Sequence, residues 1–308
     1  MSGTPIEPRG QPGREGQFNR RRLLKTAIGA SLLAPVGAFA FARDVRFEET
    51  SSIRFGLTPV FLSDDLDLLD DLKIYLRSAT GADVALVTQR TYQEVTALLV
   101  SGDLDAAWIC GYPYQRFRDE LDLVVMPVWR GGSLYQSYLI VGSGRNASTL
   151  SDCRNDIHAF SDPDSNSGYL VTRSYVSDLG ESLATFFKTT FFTYSHRNVI
   201  RAVASGLAMS GSVDGYVFEM ISQQEPALVS KTKVIVKSAW YGFPPIAAPA
   251  DPSKRAIQHT LRNAFLDMPK SALGSRILER LGLDGFALPQ SSLYDGIALT
   301  IKRVSRGG

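Results

Sequence analysis

The sequence predicts an α/β protein that is divided into two lobes. Short apolar runs typical of β-strands alternate with segments whose apolar residues recur at helical spacing, which indicates strand–helix–strand units. Midway along the chain two strand-like runs, 123–129 and 135–141, follow each other without a helix between them. We expect the chain to cross there from a first lobe to a second. Without its N-terminal leader the chain keeps roughly 265 residues, which suits one large domain or two lobes.

The first lobe is predicted to start with three strand-like runs, each followed by a helix-like segment. Leucines recur every three or four residues from Leu66 to Leu76, which is the spacing of one helix face. In chain order, the predicted elements are strand 52–57, helix 66–79, strand 84–87, helix 91–101, strand 104–110 and a helix over 114–121.

The second lobe is predicted to contain a short strand, a serine-rich turn and several helices. In chain order, we expect strand 157–160, helix 168–179, an aromatic run over 186–194, helix 198–206, strand 212–218 leading into a helix, and a returning strand 233–237. Two further helices, 254–268 and 271–281, are expected to pack on the first lobe. Lobe one is therefore predicted to comprise residues 43–137 and 238–308, and lobe two residues 138–237.

Residues 1–42 are predicted to be a twin-arginine signal peptide that directs export to the periplasm. Arginines at 20–22 precede Leu-Leu-Lys and a mostly apolar stretch, and small residues suited to cleavage end at Ala40 or Ala42. A membrane anchor is the alternative, but the stretch is interrupted by glycine and proline and is shorter than the ~20 residues that a membrane span needs. No cysteine follows the cleavage region, so we expect no lipoprotein anchor.

The charge balance argues against a nucleic-acid or membrane-surface binder. The whole chain has 33 basic and 31 acidic residues, and the leader holds six of the basic and two of the acidic ones. Subtracting them leaves 27 basic and 29 acidic residues, a net charge of −2, so we expect no strongly basic surface. The two cysteines, Cys110 and Cys153, are too few for a disulfide scaffold.

The segment 161–169 predicts a binding site for a small, oxygen-rich ligand. It lies between strand 157–160 and the start of a helix, where free backbone N–H groups and the positive end of the helix dipole point at one spot. The hydroxyl groups of Ser165 and Ser167 add donors. Nothing in the turn performs chemistry, so the pattern predicts binding and not catalysis.

Six segments in order resemble the periplasmic phosphonate/phosphite/phosphate-type solute-binding proteins, over roughly residues 50–290. The resemblance implies a two-lobed periplasmic binding protein of type II, in which two crossing strands act as the hinge and the ligand lies in the cleft between the lobes. The segments are FGLTP at 55–59, GDLDAAWICGYPY at 102–114, AFSDPDSNSGYL at 159–170, YSHRNVIRAVASG at 194–206, VDGYVFE at 213–219 and GFPPIAAP at 242–249.

The resemblance also implies which residues contact the ligand. The family's contacts fall on the first strand-end loop, the tyrosine after the third strand, the Ser-x-Ser-Gly turn, a histidine at the start of a helix and the strand end at 214–216. The implied ligand-binding residues are Thr58, Cys110, Tyr112, Ser165, Asn166, Ser167, Gly168 and His196. The first loop lacks an aromatic residue and no polar run follows Asp214, so an aminoalkyl phosphonate does not fit the pattern.

Cys110 is the residue that distinguishes one ligand from another. It ends a predicted strand, and ligands in open α/β sheets bind at the carboxyl ends of strands. A thiolate selects soft, thiophilic centres, and arsenite combines such a centre with oxygens. The segment 109–114 also resembles the arsenite-binding branch of the family, which signals to a membrane sensor kinase. The alternatives are a small buried hydrophobe and a disulfide with Cys153.

Two functions of different classes follow. The first is a periplasmic protein that binds arsenite or a related oxyanion, with Cys110 bonding the arsenic, and signals to a membrane sensor histidine kinase that regulates arsenite oxidation. The second is an ABC-transporter receptor for phosphate, phosphite or a phosphonate, with a permease as partner. We expect no enzyme activity and no cofactor, since the sequence has no Gly-x-Ser-x-Gly elbow, zinc-site spacing or phosphate-binding Walker loop.

The remaining polar and aromatic residues are predicted to be structural. His158 and His259 lie in a strand and a helix, and the carboxylates of Asp162 and Asp164 are expected to shape the turn by bonding to its backbone. Tyr135, Trp129 and Trp240 are expected in the core or at the hinge.

Overall fold

Two separate β-sheets organise the chain in the computed structural model, which describes residues 52–59 and 66–306. The predicted signal peptide, residues 1–42, lies outside the described residues. The described residues belong to one compact unit, Glu48–Gly308. Within them, no helix has the length and apolar character that crossing a membrane requires.

Thirteen strands and eleven α-helices, with five short 3-10 or π-helical turns between them, make up the described part of the chain. The strands are β1 (Ile53–Leu57), β2 (Val84–Thr88), β3 (Ala106–Trp108), β4 (Leu121–Val128), β5 (Leu134–Tyr135), β6 (Ser137–Gly142), β7 (Ile157–Phe160), β8 (Thr189–Phe192), β9 (Ser210–Asp214), β10 (Thr232–Lys237), β11 (Tyr241–Gly242), β12 (Ile246–Pro249) and β13 (Gly285–Ala287). The helices are α1 (Leu66–Thr80), α2 (Tyr92–Val100), α3 (Gly111–Arg116), α4 (Val171–Asp178), α5 (Leu183–Phe186), α6 (His196–Ala204), α7 (Gly215–Gln224), α8 (Pro226–Val229), α9 (Arg255–Leu266), α10 (Ala272–Leu281) and α11 (Asp295–Arg306).

The first sheet has six strands in the spatial order β13-β4-β12-β3-β1-β2. β1 pairs in parallel with β2 and β3, whereas β12 is antiparallel to both β3 and β4. The register pairs Leu57 with Trp108, so Thr58 and Cys110 leave the sheet at the same edge. This edge supplies one wall of the site described below.

The second sheet has five strands in the spatial order β10-β6-β9-β7-β8. β7 lies in parallel between β8 and β9, and β6 is antiparallel to β9 and β10. Because β7, β8 and β9 run the same way, the segments that follow them emerge at one edge. These segments begin at Ser161, at Thr193 and, where β9 ends, at Asp214.

The chain crosses between the sheets twice, as the sequence predicts. One crossing passes through β5 and the other through β11, and these two strands pair as an antiparallel ribbon. Aromatic rings fill the space around the ribbon: Phe243 lies 5.8 Å from Tyr135 and 5.0 Å from Tyr216, measured between ring centroids. The predicted α/β class with two crossing strands is confirmed, whereas the lobe boundaries at 137/138 and 237/238 stay a prediction.

The last helix, α11, packs beside this ribbon. It contacts α3, which follows a strand of the first sheet, and α4, which follows a strand of the second. The hydroxyl oxygens of Tyr241 and Thr300 lie 3.4 Å apart, and Arg303 pairs with Asp178 at 3.2 Å. α11 therefore connects structures from both sheets.

One expectation was wrong. The helix predicted over 114–121 is α3, which begins earlier, at Gly111, and ends at Arg116. A proline is tolerated in the first helical turn, where Pro113 lies, and the apolar residues from Leu121 onward form β4 instead. Trp240, which was expected in the core or at the hinge, lies in the second crossing, and 56% of its surface is exposed.

Candidate functional site

The loops that leave the facing edges of the two sheets meet in a buried polar group. We call this group the cleft cluster, and each of its members is at most 3% exposed. Its members are Tyr92, Cys110, Tyr135, Ser161, Asn166, Ser167, His196 and Asp214.

The serine-rich turn supplies the centre of the cluster. After β7 the chain forms a π-helical turn, Asn166–Leu170, that runs directly into α4. The Ser165 hydroxyl accepts a hydrogen bond from the Gly168 amide at 2.9 Å, and Asp162 accepts one from the Asp164 amide at 2.8 Å. The predicted turn-shaping role of Asp162 is confirmed. The turn is thus held by its own side chains, with its amide edge towards the first sheet.

Cys110 meets this turn from the other side of the cleft. Its sulfur accepts a hydrogen bond from the Asn166 amide, at 3.3 Å. Burial raises the pKa of the thiol to about 12, although the amides of Asn166 and Tyr112 partly oppose the shift. At neutral pH the sulfur is therefore a protonated thiol that touches the predicted ligand turn.

Asn166 has one satisfied end and one unsatisfied end. Its side-chain nitrogen Nδ2 donates to the Tyr135 hydroxyl at 3.0 Å. Its side-chain oxygen Oδ1 is buried and accepts no hydrogen bond, and the buried Ser161 hydroxyl has no partner either. A buried polar atom without a hydrogen-bond partner lowers the stability of the folded protein, and a bound ligand could supply the missing partner. These two atoms are therefore candidates for ligand contact.

His196 is a neutral residue whose tautomer is fixed by its neighbours. Burial lowers its pKa to about 3. The Asp214 backbone amide donates to Nδ1 at 3.1 Å, so the ring carries its proton on Nε2, which lies 3.3 Å from the Tyr92 hydroxyl. The Tyr92 oxygen accepts that bond, and its own proton remains to be donated elsewhere.

Asp214 is a buried carboxyl group at the end of β9. One oxygen, Oδ1, accepts from the Val217 amide at 3.2 Å and caps α7, and the other, Oδ2, lies 3.4 Å from the Ser167 hydroxyl. Burial raises its pKa to about 7. The charged groups that act most strongly on the cluster are Asp214 and Asp162, with no lysine or arginine of the described residues among them.

The other predicted residues lie around this cluster. Gly168 is required, because a Cβ there would overlap the Ser161 hydroxyl and lie 3.0 Å from Cε1 of His196. The Thr58 hydroxyl donates to the Trp108 carbonyl at 3.0 Å, so its contact in this structure is with β3. Tyr112 is half-buried, and its ring lies 5.7 Å from the Arg116 guanidinium at the cleft mouth.

The mouth of the cleft is closed by contacts between the two sides. The Tyr92 amide donates to the Asp162 carboxylate at 3.2 Å, and Arg116 pairs with Asp164 at 2.9 Å. A small surface pocket of about 160 Å³ lies there. It is lined by Thr91, Gln93, Arg116, Asp162, Pro163, Asp164 and Tyr194.

The geometry does not resemble a catalytic or metal site. Nε2 of His196 faces a tyrosine and Nδ1 faces a backbone amide, so no carboxylate orients the ring as one does in a Ser-His-Asp triad. Within the described residues no group of three His, Cys, Asp or Glu side chains is placed to hold a metal ion. Both cysteines are free. The arrangement can bind and enclose a small solute.

Sequence reasoning missed three residues around the site, Tyr92, Tyr135 and Ser137. Tyr92 and Tyr135 occupy helix and strand positions where an aromatic residue is usually a core residue. Ser137 donates to the Ser167 carbonyl at 2.6 Å, whereas Ser161 lies within the predicted segment 161–169. The signal for Tyr92 was the threonine and glutamate around it: Thr91 and Glu94 form a capping box that fixes the start of α2.

A family model described as the periplasmic substrate-binding protein of phosphonate ABC transporters matches residues 55–294. No curated protein matches the chain. Solved structures with the same fold are less than 25% identical, and they support the two-lobed fold alone.

Three of these structures come from bacteria. A binding protein component of a phosphonate ABC transporter from Pseudomonas aeruginosa has a TM-score of 0.76 and 21% identity, covering 83% of this chain and 87% of that one. PhnD1 from Prochlorococcus marinus in complex with methylphosphonate has a TM-score of 0.72 and 19% identity, covering 82% and 98%. A Xanthomonas citri protein bound to ATP has a TM-score of 0.67 and 15% identity, covering 83% and 99%.

Proposed function

This chain belongs to the family of periplasmic substrate-binding proteins of phosphonate ABC transporters, and on that premise we propose that its ligand is arsenite. The family is one of periplasmic solute-binding proteins and not of enzymes. Arsenite binding, signalling to a membrane sensor kinase and export by the twin-arginine route are the finer parts of the proposal.

The contact between Cys110 and the serine-rich turn carries the proposal. The sulfur of Cys110 lies within hydrogen-bond distance of the Asn166 backbone amide, in a turn whose N–H and hydroxyl groups can bind the oxygens of a ligand. Arsenous acid needs both kinds of group, because its arsenic bonds to sulfur while its hydroxyl groups form hydrogen bonds. When the thiol attacks, an arsenic–sulfur bond replaces one arsenic–oxygen bond. The departing hydroxide takes the thiol proton and leaves as water, so no free thiolate has to persist in the cleft.

The charge of the cleft also favours arsenite. Asp162 and Asp214 act on the cluster, and Arg116 is committed to Asp164 at the mouth. A doubly charged phosphate or phosphonate would meet these carboxylates, while the arginines nearest the cleft, Arg116 and Arg173, act on Tyr112 at its mouth, and uncompensated charge is unfavourable in a buried site. Arsenous acid is neutral at physiological pH and avoids that repulsion.

The signalling part of the proposal depends on closure of the lobes. The mouth contacts of Asp162 with Tyr92 and of Asp164 with Arg116 join the two sides when the cleft is closed. A ligand that binds both walls favours this state, and the closed surface is what a sensor kinase would recognise. Export through the twin-arginine sequence would deliver the folded protein to the compartment where such a sensor has its receptor domain.

A transport receptor for phosphate, phosphite or a phosphonate is the second candidate. The family description and the amide-rich turn before α4 support it. In this case Cys110 is a packing residue and the partner is an ABC permease.

Calorimetric titration of the reduced, leaderless protein distinguishes the two candidates. Arsenite, phosphate, phosphite and methylphosphonate are titrated into the wild type and into Cys110→Ser, with Cys153→Ser as the matched control. Cys153 is also buried and also has its pKa raised to about 12 by burial, but it lies in the core near Phe160 and Phe186.

We expect Cys110→Ser to weaken arsenite binding by at least about 100-fold, since a covalent bond to sulfur is lost, and Cys153→Ser to leave it unchanged. Equal arsenite affinity in the wild type and Cys110→Ser would contradict the arsenite proposal. Phosphate or phosphonate binding that survives the Cys110 substitution would favour the transport receptor.

A further inference from the structure

The cleft cluster offers acceptors as well as donors to a ligand. The side-chain oxygen Oδ1 of Asn166 is buried without a partner. The carboxylate oxygen Oδ2 of Asp214 has one long contact, at 3.4 Å from the Ser167 hydroxyl. Oδ1 of Asn166 requires a proton from the ligand if it is to be satisfied when the cleft is closed, and Oδ2 of Asp214 can accept a second, shorter hydrogen bond.

The donors of the cluster are hydroxyl groups. The Ser161 hydroxyl is buried without a partner, and Tyr92 accepts from Nε2 of His196 and keeps its own proton to donate. Tyr135 accepts from the side-chain nitrogen of Asn166 and is also hydrogen-bonded to Ser167. The site therefore presents a mixed pattern of donors and acceptors. A ligand without protons satisfies the hydroxyl donors and leaves the two acceptors facing its own lone pairs.

The charged and titratable groups around Asp214 come from every element that packs against it. They are Tyr92 on α2, Cys110 after β3, Tyr135 on β5, His196 on α6 and Tyr216 on α7, with Asp162 farther out. No member of this set is a cation at neutral pH, because His196 is held neutral by burial. The negative charge of a fully ionised oxyanion is not compensated there.

We propose that the cleft binds its ligand as a protonated oxyacid, whose hydroxyl groups donate to Asp214 and to Oδ1 of Asn166, and that it rejects oxyanions without a proton. This inference rests on the proposed function, because it concerns the same site. The cleft would select its ligand by the hydroxyl groups that the ligand carries and not by its central atom. Arsenous acid bound through one sulfur keeps two hydroxyl groups, one for each acceptor.

The test compares ligands of similar size that differ in protonation. At pH 7 arsenite and phosphate each carry at least one hydroxyl group, whereas sulfate carries none. Their affinities for the reduced, leaderless protein are measured by calorimetry in the wild type, Asp214→Asn and Asn166→Ala. The Asn166→Ala variant removes the second acceptor and keeps the inference testable if the first variant is damaged.

Asp214→Asn is a conservative change of polarity. Asparagine caps helices as well as aspartate does, and its oxygen takes the bond from the Val217 amide, so its NH₂ group faces the ligand in place of an acceptor. Asp251→Asn is the matched control, because Asp251 likewise caps a helical turn by accepting from the Ser253 amide at 2.8 Å. Thermal unfolding of each variant verifies that the fold is kept.

We expect the wild type to bind arsenite or phosphate at least about 100-fold more tightly than sulfate, as sites built around a ligand hydroxyl reject analogues that lack it. The affinity for the protonated ligand should fall at least about 30-fold in Asp214→Asn and about tenfold in Asn166→Ala. It should not change in Asp251→Asn.

Two results overturn the inference alone. One is sulfate binding to the wild type within tenfold of the best protonated ligand. The other is an unchanged affinity for arsenite or phosphate in a folded Asp214→Asn protein. If none of the three ligands binds the wild type, the proposed oxyacid function itself is wrong, and the inference falls with it.

Discussion

Two buried polar clusters of this protein contain the same kinds of residue and differ in whether their hydrogen bonds are complete. The second lies in the core of the second sheet, and we call it the core cluster; its members are Cys153, His158, Thr172, Ser210 and Ser212. Each cluster has one cysteine whose pKa burial raises to about 12 and one histidine whose pKa burial lowers to about 3. Composition and burial therefore do not tell a site from a core.

The hydrogen bonds do distinguish them. Both ring nitrogens of His158 are occupied, at 2.8 Å by the Ser210 hydroxyl and at 2.9 Å by Ser212, and Ser212 also bonds to Thr172. The ring stacks on Phe187 at 4.4 Å. The cleft cluster, by contrast, keeps unpaired atoms on Ser161 and Asn166. A complete network stabilises the fold, whereas an incomplete one is available to a ligand.

The largest expected effect comes from exchanging the two histidines for alanine. His158→Ala removes one hydrogen-bond partner from each of two buried serine hydroxyls and opens a cavity among aromatic rings, so we expect about 3 kcal/mol less free energy of unfolding. Ligand affinity should stay within twofold. His196→Ala likewise removes a partner from the Asp214 amide and from the Tyr92 hydroxyl, so we expect about 2 kcal/mol of destabilisation, but here ligand affinity should also fall at least tenfold. Urea unfolding and calorimetry measure the two quantities, and an equal loss of affinity in both variants would remove the distinction between the clusters.

A smaller effect is expected at the glycine of the turn. In Gly168→Ala the new methyl group overlaps the Ser161 hydroxyl and crowds the ring of His196, so we expect about 2 kcal/mol of destabilisation from overpacking and a tenfold loss of affinity. Gly144→Ala is the control, since a Cβ there meets no atom within 4 Å. Denaturation and ligand titration of both variants check this, and a tolerated alanine at 168 would contradict the tight packing of the turn.

The last effect, which vanishes above about pH 7, is on the pH dependence of stability. The pKa of His158 is about 3 in the folded protein and 6.5 ordinarily, so the unfolded chain binds the extra proton between these values. The loss of unfolding free energy that the lowered pKa of His158 causes is absent above pH 6.5 and grows as the pH falls towards 3. His158→Gln should therefore reduce the rise of unfolding free energy with pH by about 1.4 kcal/mol per unit between about pH 4 and 6.

Asp214 changes the slope of unfolding free energy with pH in the opposite direction. Its pKa is raised from 3.8 to about 7, so the folded protein holds the extra proton and the penalty grows as the pH rises through this window. Asp214→Asn should steepen the rise of stability with pH by about 1.4 kcal/mol per unit over the same range. Urea denaturation at several pH values measures both slopes, and changes of the same sign would show that one of the two groups is not buried as described.

Much of the fold was accessible from the sequence because its signals are local. The strands at 53–57, 84–88 and 157–160 end within one residue of the predicted limits, since apolar runs are bounded there by turn residues. β12 was missed because it follows two prolines and pairs with β3 and β4, distant in the chain. Non-local pairing leaves no periodic trace in a short apolar segment.

The site was only half accessible for a related reason. The serine-rich turn and His196 belong to quoted segments, and the structure brings both to Cys110 and Asp214. Tyr92 and Tyr135 could not be assigned, because an aromatic residue on a helix or strand is ordinarily core and only the tertiary approach of the two sheets gives its hydroxyl a polar partner. Whether each residue binds ligand stays a prediction.

The position of α11 bears on how the two halves can turn against each other. A connection made only of the two strands β5 and β11 would permit the two halves both to bend and to twist relative to each other. α11 lies against the ribbon through Tyr241 and Thr300 and reaches the second half through Arg303 and Asp178. If the two halves rotate, this third point of attachment would oppose twisting and favour bending about one axis near the ribbon. The turn and Cys110 would then return to the same alignment each time the cleft closed, as the hydrogen bond from the Asn166 amide to the sulfur requires.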